Sequence, residues 1–197
     1  MKNLFSSRLF WKIFWKLSGW KIQGELPSDL RQCVILVAPH TSAWDVVLGM
    51  AVRAVMPIRD AHFLGKKELF SGPMGWFFKA VGGVPVDRSG NQNMVEQVAE
   101  IFKARPDFKL AMSPEGTRRK VDRIRTGFYY IAKKASVPIV LAGLDFSLKA
   151  VIFSEPFYPT DYEAADFAKI ISFFAPIKGK YPELGMGHLA DSNPTSS

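Results

Sequence analysis

A histidine and a carboxylate five residues apart, His40 and Asp45, form a pair that could carry proton chemistry. An imidazole held by a carboxylate has a fixed tautomer and a stabilised cationic form, which is what a general base requires. On a regular helix this spacing would place the two side chains roughly 140° apart. They can therefore meet only if His40 lies in a loop and Asp45 lies inside the helix that follows.

The same stretch also admits a purely structural interpretation. Ser42 and Asp45 fit a capping box at a helix N-terminus, where the carboxylate would lie near the positive end of the helix dipole. His40 would then be an ordinary loop residue. These residues alone leave both interpretations open.

The elements around this pair predict the fold. Residues 33–37 form a short apolar, β-branched run typical of a buried strand, and apolar residues return at helical spacing from Val46 to Ala54. Similar runs and helical patterns alternate through the rest of the chain. This alternation predicts an α/β fold: a single domain with a mixed, largely parallel sheet flanked by helices, plus an N-terminal amphipathic helix.

Length and composition fit one domain with a full core, since the chain has 197 residues, 48% of them hydrophobic. The single cysteine, Cys33, excludes a disulfide framework and a thiolate metal site, so we expect a reducing compartment and no metal. We expect three segments: a membrane-surface helix over residues 1–20, the main domain over 21–177, and a loose tail over 178–197. Glycine, proline and serine in the last segment suggest the tail.

The net charge of +8 favours an anionic partner, and its location suggests a membrane surface. Arg8, Lys12 and Lys16 form a basic row along one side of the predicted N-terminal helix, and aromatic and aliphatic residues fill the remainder. This pattern predicts peripheral binding to an anionic membrane, at its cytoplasmic face. The alternative is a helix that docks on the protein's own core. Cations interrupt the segment too often for a membrane span or a signal peptide.

Three other predicted strand ends carry residues suited to gripping a phosphate. A glycine lets the backbone approach a ligand closely, a hydroxyl can donate a hydrogen bond, and a guanidinium suits bidentate phosphate contact. The alternatives are a surface turn with a Glu–Arg pair and solvated cations. The candidate residues are Lys66, Arg88, Glu115, Gly116, Thr117 and Arg118.

Taken in order, four motifs resemble those of the 1-acylglycerol-3-phosphate acyltransferases and related lysophospholipid acyltransferases. His40 and Asp45 match N-H-x-x-x-x-D, and residues 82–88 match G-x-I-F-I-D-R in part. Residues 114–118 match F-P-E-G-T-R, and residues 137–140 match V-P-I-V-P. The chain departs from these patterns at Pro39, Pro85, Ser113 and Leu141, which leaves the identity of the acceptor open.

This resemblance implies direct acyl transfer from an acyl thioester to a lysophospholipid hydroxyl. His40 would be the general base and Asp45 would orient it, while the six phosphate-gripping candidates would position the phosphorylated acceptor. The expected acceptor is 1-acylglycerol-3-phosphate, and another lysolipid, such as an acylated amino-acid lipid, is the alternative. The donor would be acyl-CoA or an acyl carrier protein, as a co-substrate, with no cofactor.

Other classes of function fit the sequence less well. A non-catalytic, membrane-associated lipid-binding protein would use the amphipathic N-terminus but does not need His40 and Asp45 together. A hydrolase would need metal ligands or a nucleophile elbow, which the sequence lacks. We expect no nucleic-acid partner, because the cations are divided between the N-terminal helix and the segment after Glu115.

Overall fold

A seven-stranded sheet organises the part of the chain that the computed structural model describes, which is residues 8–56, 58, 61–87 and 93–191. The strands are β1 (Lys21–Gln23), β2 (Gln32–Ala38), β3 (Ala61–Lys66), β4 (Gly83–Val86), β5 (Phe108–Met112), β6 (Ile139–Asp145) and β7 (Ala150–Phe153). Their order across the sheet is β1-β7-β6-β2-β5-β3-β4. Only β6 and β7 pair in antiparallel fashion within it, so the sheet is mixed and largely parallel, as predicted.

Helices connect and cover these strands. They are α1 (Arg8–Ser18), α2 (Trp44–Val55), α3 (Lys67–Ser71), α4 (Gly75–Ala80), α5 (Met94–Ala104), α6 (Gly127–Ala135), α7 (Glu163–Phe174) and α8 (His188–Asp191), with a 3₁₀ turn at Pro182–Leu184. The start of α5 illustrates how local sequence sets a boundary. The Asn93 side chain accepts a hydrogen bond from the backbone N–H of Val95 at 3.1 Å, as a helix cap does.

The central strand β2 is buried on both faces of the sheet, which is why it reads as a continuous apolar run. Val34 and Leu36 face one apolar cluster, which includes side chains of α5, α6 and α7. Cys33 and Ile35 face a second cluster, which includes side chains of α2 and, from the end of α1, Trp15. Helices therefore lie on both sides of the sheet, with α1 and α2 on one face and α5, α6 and α7 on the other.

The strand pairing brings five carboxyl ends to one edge of the sheet. Leu36 of β2 is in register with Met112 of β5, and Ala38 of β2 is in register with Gly143 of β6. Strand β3 pairs in parallel with β5 on its other side, and β4 pairs with β3. Residues that follow these strands in sequence therefore emerge side by side, which is where α/β folds gather ligands.

Helix α1 both docks on the domain and exposes an apolar row. Trp11 is buried and Trp15 is half-buried, so the alternative of docking on the protein's own core is right for the aromatic side of the helix. The opposite side exposes Leu9, Ile13 and Leu17 to 66%, 49% and 81%. Residues 1–7 of the predicted membrane-surface segment lie outside the described residues. No helix in the described part of the chain is long and apolar enough to cross a membrane.

The expectation of a loose tail from Lys178 onward is wrong for residues 178–191. Met186 and Leu189 are buried in the same cluster as α7, and the backbone N–H of Phe146 donates to the carbonyl of Lys178 at 2.8 Å. Composition suggested a tail because glycines and prolines separate these apolar residues and hide their periodicity. Residues 192–197 lie outside the described part.

Candidate active site

His40 and Asp45 meet in the way that their spacing requires. His40 lies in the loop after β2, and Asp45 lies in the first turn of α2. The imidazole Nδ1 is 3.0 Å from Asp45 Oδ2, and the backbone N–H of Ser42 donates to the same oxygen at 2.8 Å. One carboxylate oxygen therefore accepts the backbone contact that a capping box would make and also lies against the imidazole, as the acid–base prediction requires; the catalytic role itself stays a prediction.

Asp45 is the buried member of the pair and His40 is the partly exposed member. The Asp45 side chain is 2% exposed, whereas the His40 side chain is 23% exposed. An ionised Asp45 can only accept, so Nδ1 carries the hydrogen and Nε2 keeps a lone pair. Arg118 Nε lies 3.4 Å from Nε2, as a donor to that lone pair. The arrangement leaves the basic nitrogen of His40 at the surface, beside a guanidinium.

The second carboxylate oxygen of Asp45 makes no hydrogen bond to the described residues. Oδ1 is buried and has no hydrogen-bond partner among the described residues. A buried carboxylate with one unsatisfied oxygen gains more from a nearby positive charge than a solvated carboxylate does. Asp45 is therefore well suited to stabilise an imidazolium at His40.

Glu115 holds the backbone of the loop that carries His40. Its carboxylate is 2% exposed, and Oε2 accepts hydrogen bonds from the backbone N–H of His40 at 2.6 Å and from the Ser113 hydroxyl at 3.2 Å. Both contacts are internal, so Glu115 holds the loop of His40 in this structure, and its contact with a phosphorylated acceptor stays a prediction. The alternative of an exposed Glu–Arg pair is wrong, since the carboxylate is buried.

Burial raises the pKa of Glu115, and the hydrogen bonds from His40 and Ser113 offset only part of that rise. Desolvation penalises the ionised carboxylate, whereas the N–H and O–H donors favour it. The Asp45 charge adds to the rise and the His40 charge opposes it. The charge of Glu115 is therefore coupled to the same pair that it holds in place.

Gly116, Thr117 and Arg118 continue the loop at the mouth of the site. Gly116 has φ +65°, a backbone conformation that favours glycine, and the flexible end of the Arg125 side chain packs over the place where a Cβ would lie. The Thr117 hydroxyl accepts from the backbone N–H of Arg119 at 3.3 Å, which tightens the turn. Only Arg118 of these residues contacts His40.

Two further phosphate-gripping candidates, Lys66 and Arg88, come from other parts of the sequence. Lys66 is exposed at the carboxyl end of β3. It lies at the same edge of the sheet but is not among the side chains that contact the pair. Arg88 lies outside the described residues, so its role stays a prediction.

Residues 178–181 pack directly on the loop that carries His40. The sequence did not indicate this contact. The backbone N–H of Tyr181 donates to the Thr41 hydroxyl at 3.3 Å. A Cβ at Gly179 would lie 2.8 Å from the same hydroxyl oxygen and 3.1 Å from Pro39 Cγ. Lys180 Nζ lies 4.8 Å from the centre of the Trp44 ring, a cation–π contact.

Asp145, at the end of β6, anchors this segment. Its carboxylate accepts from the Ser147 hydroxyl at 2.6 Å, from the Leu148 N–H at 2.9 Å and from the Lys178 N–H at 3.2 Å. Burial by itself raises the pKa of Asp145, but these donors outweigh it and the net pKa is lowered. The ionised carboxylate is thus built into the fold next to the His40 loop.

No nucleophile for an acyl-enzyme is positioned at the pair within the described residues. The Ser42 hydroxyl accepts from the Trp44 N–H, and the Ser113 hydroxyl donates to Glu115. Cys33 is fully buried near the amino end of β2, about 20 Å along the strand from His40. The described residues also contain no group of three histidine, cysteine or acidic side chains placed to hold a metal ion.

Comparisons with known proteins agree with this architecture. The sequence model of the acyltransferase family matches residues 21–143. The crystal structure of the 1-acyl-sn-glycerophosphate (LPA) acyltransferase PlsC from Thermotoga maritima superposes with a TM-score of 0.53 at 16% identity, covering 100% of this chain and 86% of that chain. At that identity the superposition shows a shared fold. No curated protein sequence gives a significant match.

Removing the carboxylate of Glu115 should separate its hydrogen-bonding role from its charge. Glu115→Ala leaves the His40 N–H without its acceptor and should lower the free energy of unfolding by about 1–3 kcal/mol. Glu115→Gln keeps an acceptor, so its free energy of unfolding should fall much less.

The stability of the wild type should also depend on pH. Because the pKa of Glu115 is raised in the folded protein, its stabilising contribution is present at low pH and is lost as pH rises through the raised pKa. Wild type should therefore lose stability relative to Glu115→Gln as pH rises, in urea titrations between pH 4 and 8. An equal loss in both variants at every pH would contradict this assignment.

Gly179→Ala should disturb the catalytic loop from a distant part of the chain. The added methyl group must displace Thr41 or Pro39, and a shift of this kind in a catalytic group costs roughly tenfold to a hundredfold in turnover. Gly49→Ala is the matched control, because a Cβ at Gly49 meets no atom within 4 Å and lies inside α2, where alanine is favoured. Acyl-transfer rates and melting temperatures of both variants test the contact. Unchanged turnover in Gly179→Ala would show that the loop does not depend on this segment.

Proposed function

The chain belongs to the acyltransferase family, and from this premise we propose that it transfers a fatty acyl group from an acyl thioester to the hydroxyl of a lysophospholipid, with 1-acylglycerol-3-phosphate as the preferred acceptor. The observation that carries the proposal is the arrangement at His40. Its Nδ1 is held by buried Asp45, and its Nε2 is presented at the surface beside Arg118. A base and a guanidinium placed together suit an acceptor that has both a hydroxyl and a phosphate.

The proposed reaction starts with proton transfer to His40. Nε2 removes the hydroxyl proton of the acceptor as the oxygen attacks the thioester carbonyl carbon, and Asp45 stabilises the imidazolium. A tetrahedral intermediate forms with a new carbon–oxygen bond. Its collapse breaks the carbon–sulfur bond, and the leaving thiolate takes the proton from Nε2. The products are an ester and a free thiol, and His40 returns to its starting state.

The other residues of the site would increase the rate of acyl transfer by positioning the acceptor. Arg118 would leave its contact with Nε2 and bind the acceptor phosphate, which exposes the lone pair to the hydroxyl. Lys66, the last residue of β3, would add positive charge at the same edge of the sheet. Arg88, which comes two residues after β4 in the sequence, would also contact the phosphate. Gly116 and Thr117 would shape the turn that carries Arg118. Glu115 acts as a positioning residue, since it holds the His40 backbone.

Two supports from outside the site agree with a lipid substrate. The Thermotoga maritima protein with the same fold is itself described as an LPA acyltransferase. Helix α1 exposes an apolar row, Leu9, Ile13 and Leu17, next to exposed Lys12 and Lys16, which suits the headgroup region of an anionic membrane. We therefore place the protein at the cytoplasmic face of a membrane as a peripheral enzyme. It would need no cofactor beyond the acyl-CoA or acyl carrier protein that brings the acyl group.

His40→Ala should abolish most thiol release from an acyl thioester, while Cys33→Ala should retain most of it. Loss of a general base lowers turnover by about 10²–10⁴-fold, whereas direct transfer does not use the cysteine. Purified wild type and both variants would be assayed in detergent with a panel of lysolipid acceptors. This panel also compares 1-acylglycerol-3-phosphate with other lysolipids. If the wild type is folded and no acceptor in the panel increases its thiol release, a non-catalytic lipid-binding protein becomes the better interpretation. Complete inactivity of Cys33→Ala would overturn direct transfer.

Replacing Leu9, Ile13 and Leu17 with serine should release the protein from membranes. Burying each such side chain in the interface contributes about 1.5–3 kcal/mol, so the triple variant should lose well over tenfold in affinity. Co-sedimentation with vesicles rich in anionic phospholipid measures the change. Tyr162→Ser is the control, because that side chain is 79% exposed and lies just before α7, on the other face of the sheet. Equal binding by the triple variant and wild type would show that α1 does not contact the membrane.

A further inference from the structure

A run of cations follows the catalytic turn, and the proposed chemistry leaves part of it unexplained. Five lysines and arginines occur between residues 118 and 125, with a single acid, Asp122. Arg118 contacts His40, and Arg125 packs over Gly116. The other three, Arg119, Lys120 and Arg123, are exposed and form no ion pair with any described residue; together we call them the basic loop.

The backbone of the basic loop is fixed although its side chains extend into solvent. Ile124 is buried in the apolar cluster, and the backbone N–H of Arg125 donates to the Pro114 carbonyl at 2.8 Å. The carbonyl of Val121 accepts a hydrogen bond from His188 Nε2 of α8 at 2.8 Å. Three uncompensated cations on a fixed backbone can receive an anion without ordering the backbone, so only their side chains lose freedom on binding.

The position of the basic loop separates it from the proposed membrane contact. Ile124 packs in the cluster with α5, α6 and α7, whereas α1 packs with the cluster on the opposite face of the sheet. The basic loop also exposes no large apolar side chain, unlike α1. An anionic membrane that receives Leu9 and Leu17 would therefore lie on the other face of the sheet, which leaves the basic loop open to a ligand from the aqueous side.

The chemistry of the basic loop selects phosphate over an acidic protein surface. Stable protein interfaces bury roughly 1,200–2,000 Å² around an apolar or aromatic centre, and three charged residues provide no such centre. Two arginines and a lysine instead match phosphate groups, which arginine binds through paired hydrogen bonds. The site thus suits a small ligand that carries several phosphates.

We propose that Arg119, Lys120 and Arg123 bind the diphosphate and 3′-phosphate of an acyl-coenzyme A donor. This inference rests on the acyl-thioester activity proposed above. Arg123 lies five residues beyond Arg118, which contacts His40, so their Cα atoms are at most about 18 Å apart. The flexible pantetheine arm of coenzyme A bridges a separation of that order. The donor then approaches from the aqueous face while the lipid acceptor arrives from the face that carries α1.

A direct binding measurement tests the basic loop without relying on turnover. Calorimetry would compare coenzyme A with pantetheine, which lacks the phosphates, on wild type and on the full chain with Arg119→Gln, Lys120→Gln and Arg123→Gln. Loss of three charged contacts should weaken coenzyme A binding by about tenfold or more, and wild-type affinity should fall as salt rises. The control is Lys103→Gln, Lys133→Gln and Lys134→Gln, which removes the same charge from α5 and α6. Thermal melts confirm that both variants fold.

Kinetics with matched donors separates this proposal from the function on which it rests. The ratio of kcat/KM for acyl-CoA to kcat/KM for the acyl-pantetheine thioester should fall about tenfold in the basic-loop variant and stay constant in the control. An unchanged ratio together with unchanged coenzyme A binding overturns the proposal. A loss restricted to an acyl carrier protein donor also overturns it, in favour of an acidic protein partner. If wild type binds coenzyme A through the basic loop but transfers no acyl group, the proposed function fails and the phosphate site stands.

Discussion

The site depends on one hydrogen bond between two neighbouring strand ends. Parallel pairing of β2 with β5 places the loop of His40 beside the turn that contains Glu115. The 2.6 Å contact from the His40 N–H to the buried Glu115 carboxylate then fixes the backbone that carries the base. With that backbone fixed, the imidazole reaches Asp45 on one side and faces solvent on the other. The acid–base pair and the turn of Arg118 are therefore held as one unit.

The parts of this site that local sequence predicts are those set by short-range geometry. A spacing of five residues excludes contact within a helix, so His40 and Asp45 could meet only across a loop–helix junction, and they do so. The alternation of apolar runs with helical patterns likewise predicts the largely parallel sheet, because each element shows its own period. Helices between successive strands follow from that pattern, whereas β6 and β7 pair in antiparallel fashion because only four residues and no helix connect them.

Features that depend on distant contacts were not predictable from local pattern. Glu115 looks like a ligand-binding residue in its turn, and only the fold shows that its carboxylate points inward to His40. Ser113, Thr41 and Asp145 are small polar residues with no periodic signal, although each supports the catalytic loop. Gly179 has no side chain to mark it, and its contact with Thr41 becomes visible only when residues about 140 apart are brought together.

The packing of residues 178–181 on the catalytic loop has a consequence for the order in which the enzyme is made. During translation, the strand and loop that carry His40 emerge first, and the backbone that contacts Thr41 follows only about 140 residues later. Until Tyr181 has left the ribosome, the loop lacks its final support, even when the sheet beneath it has formed. The loop of His40 in a nascent chain thus completes its packing only when residues 178–181 of the same chain reach it.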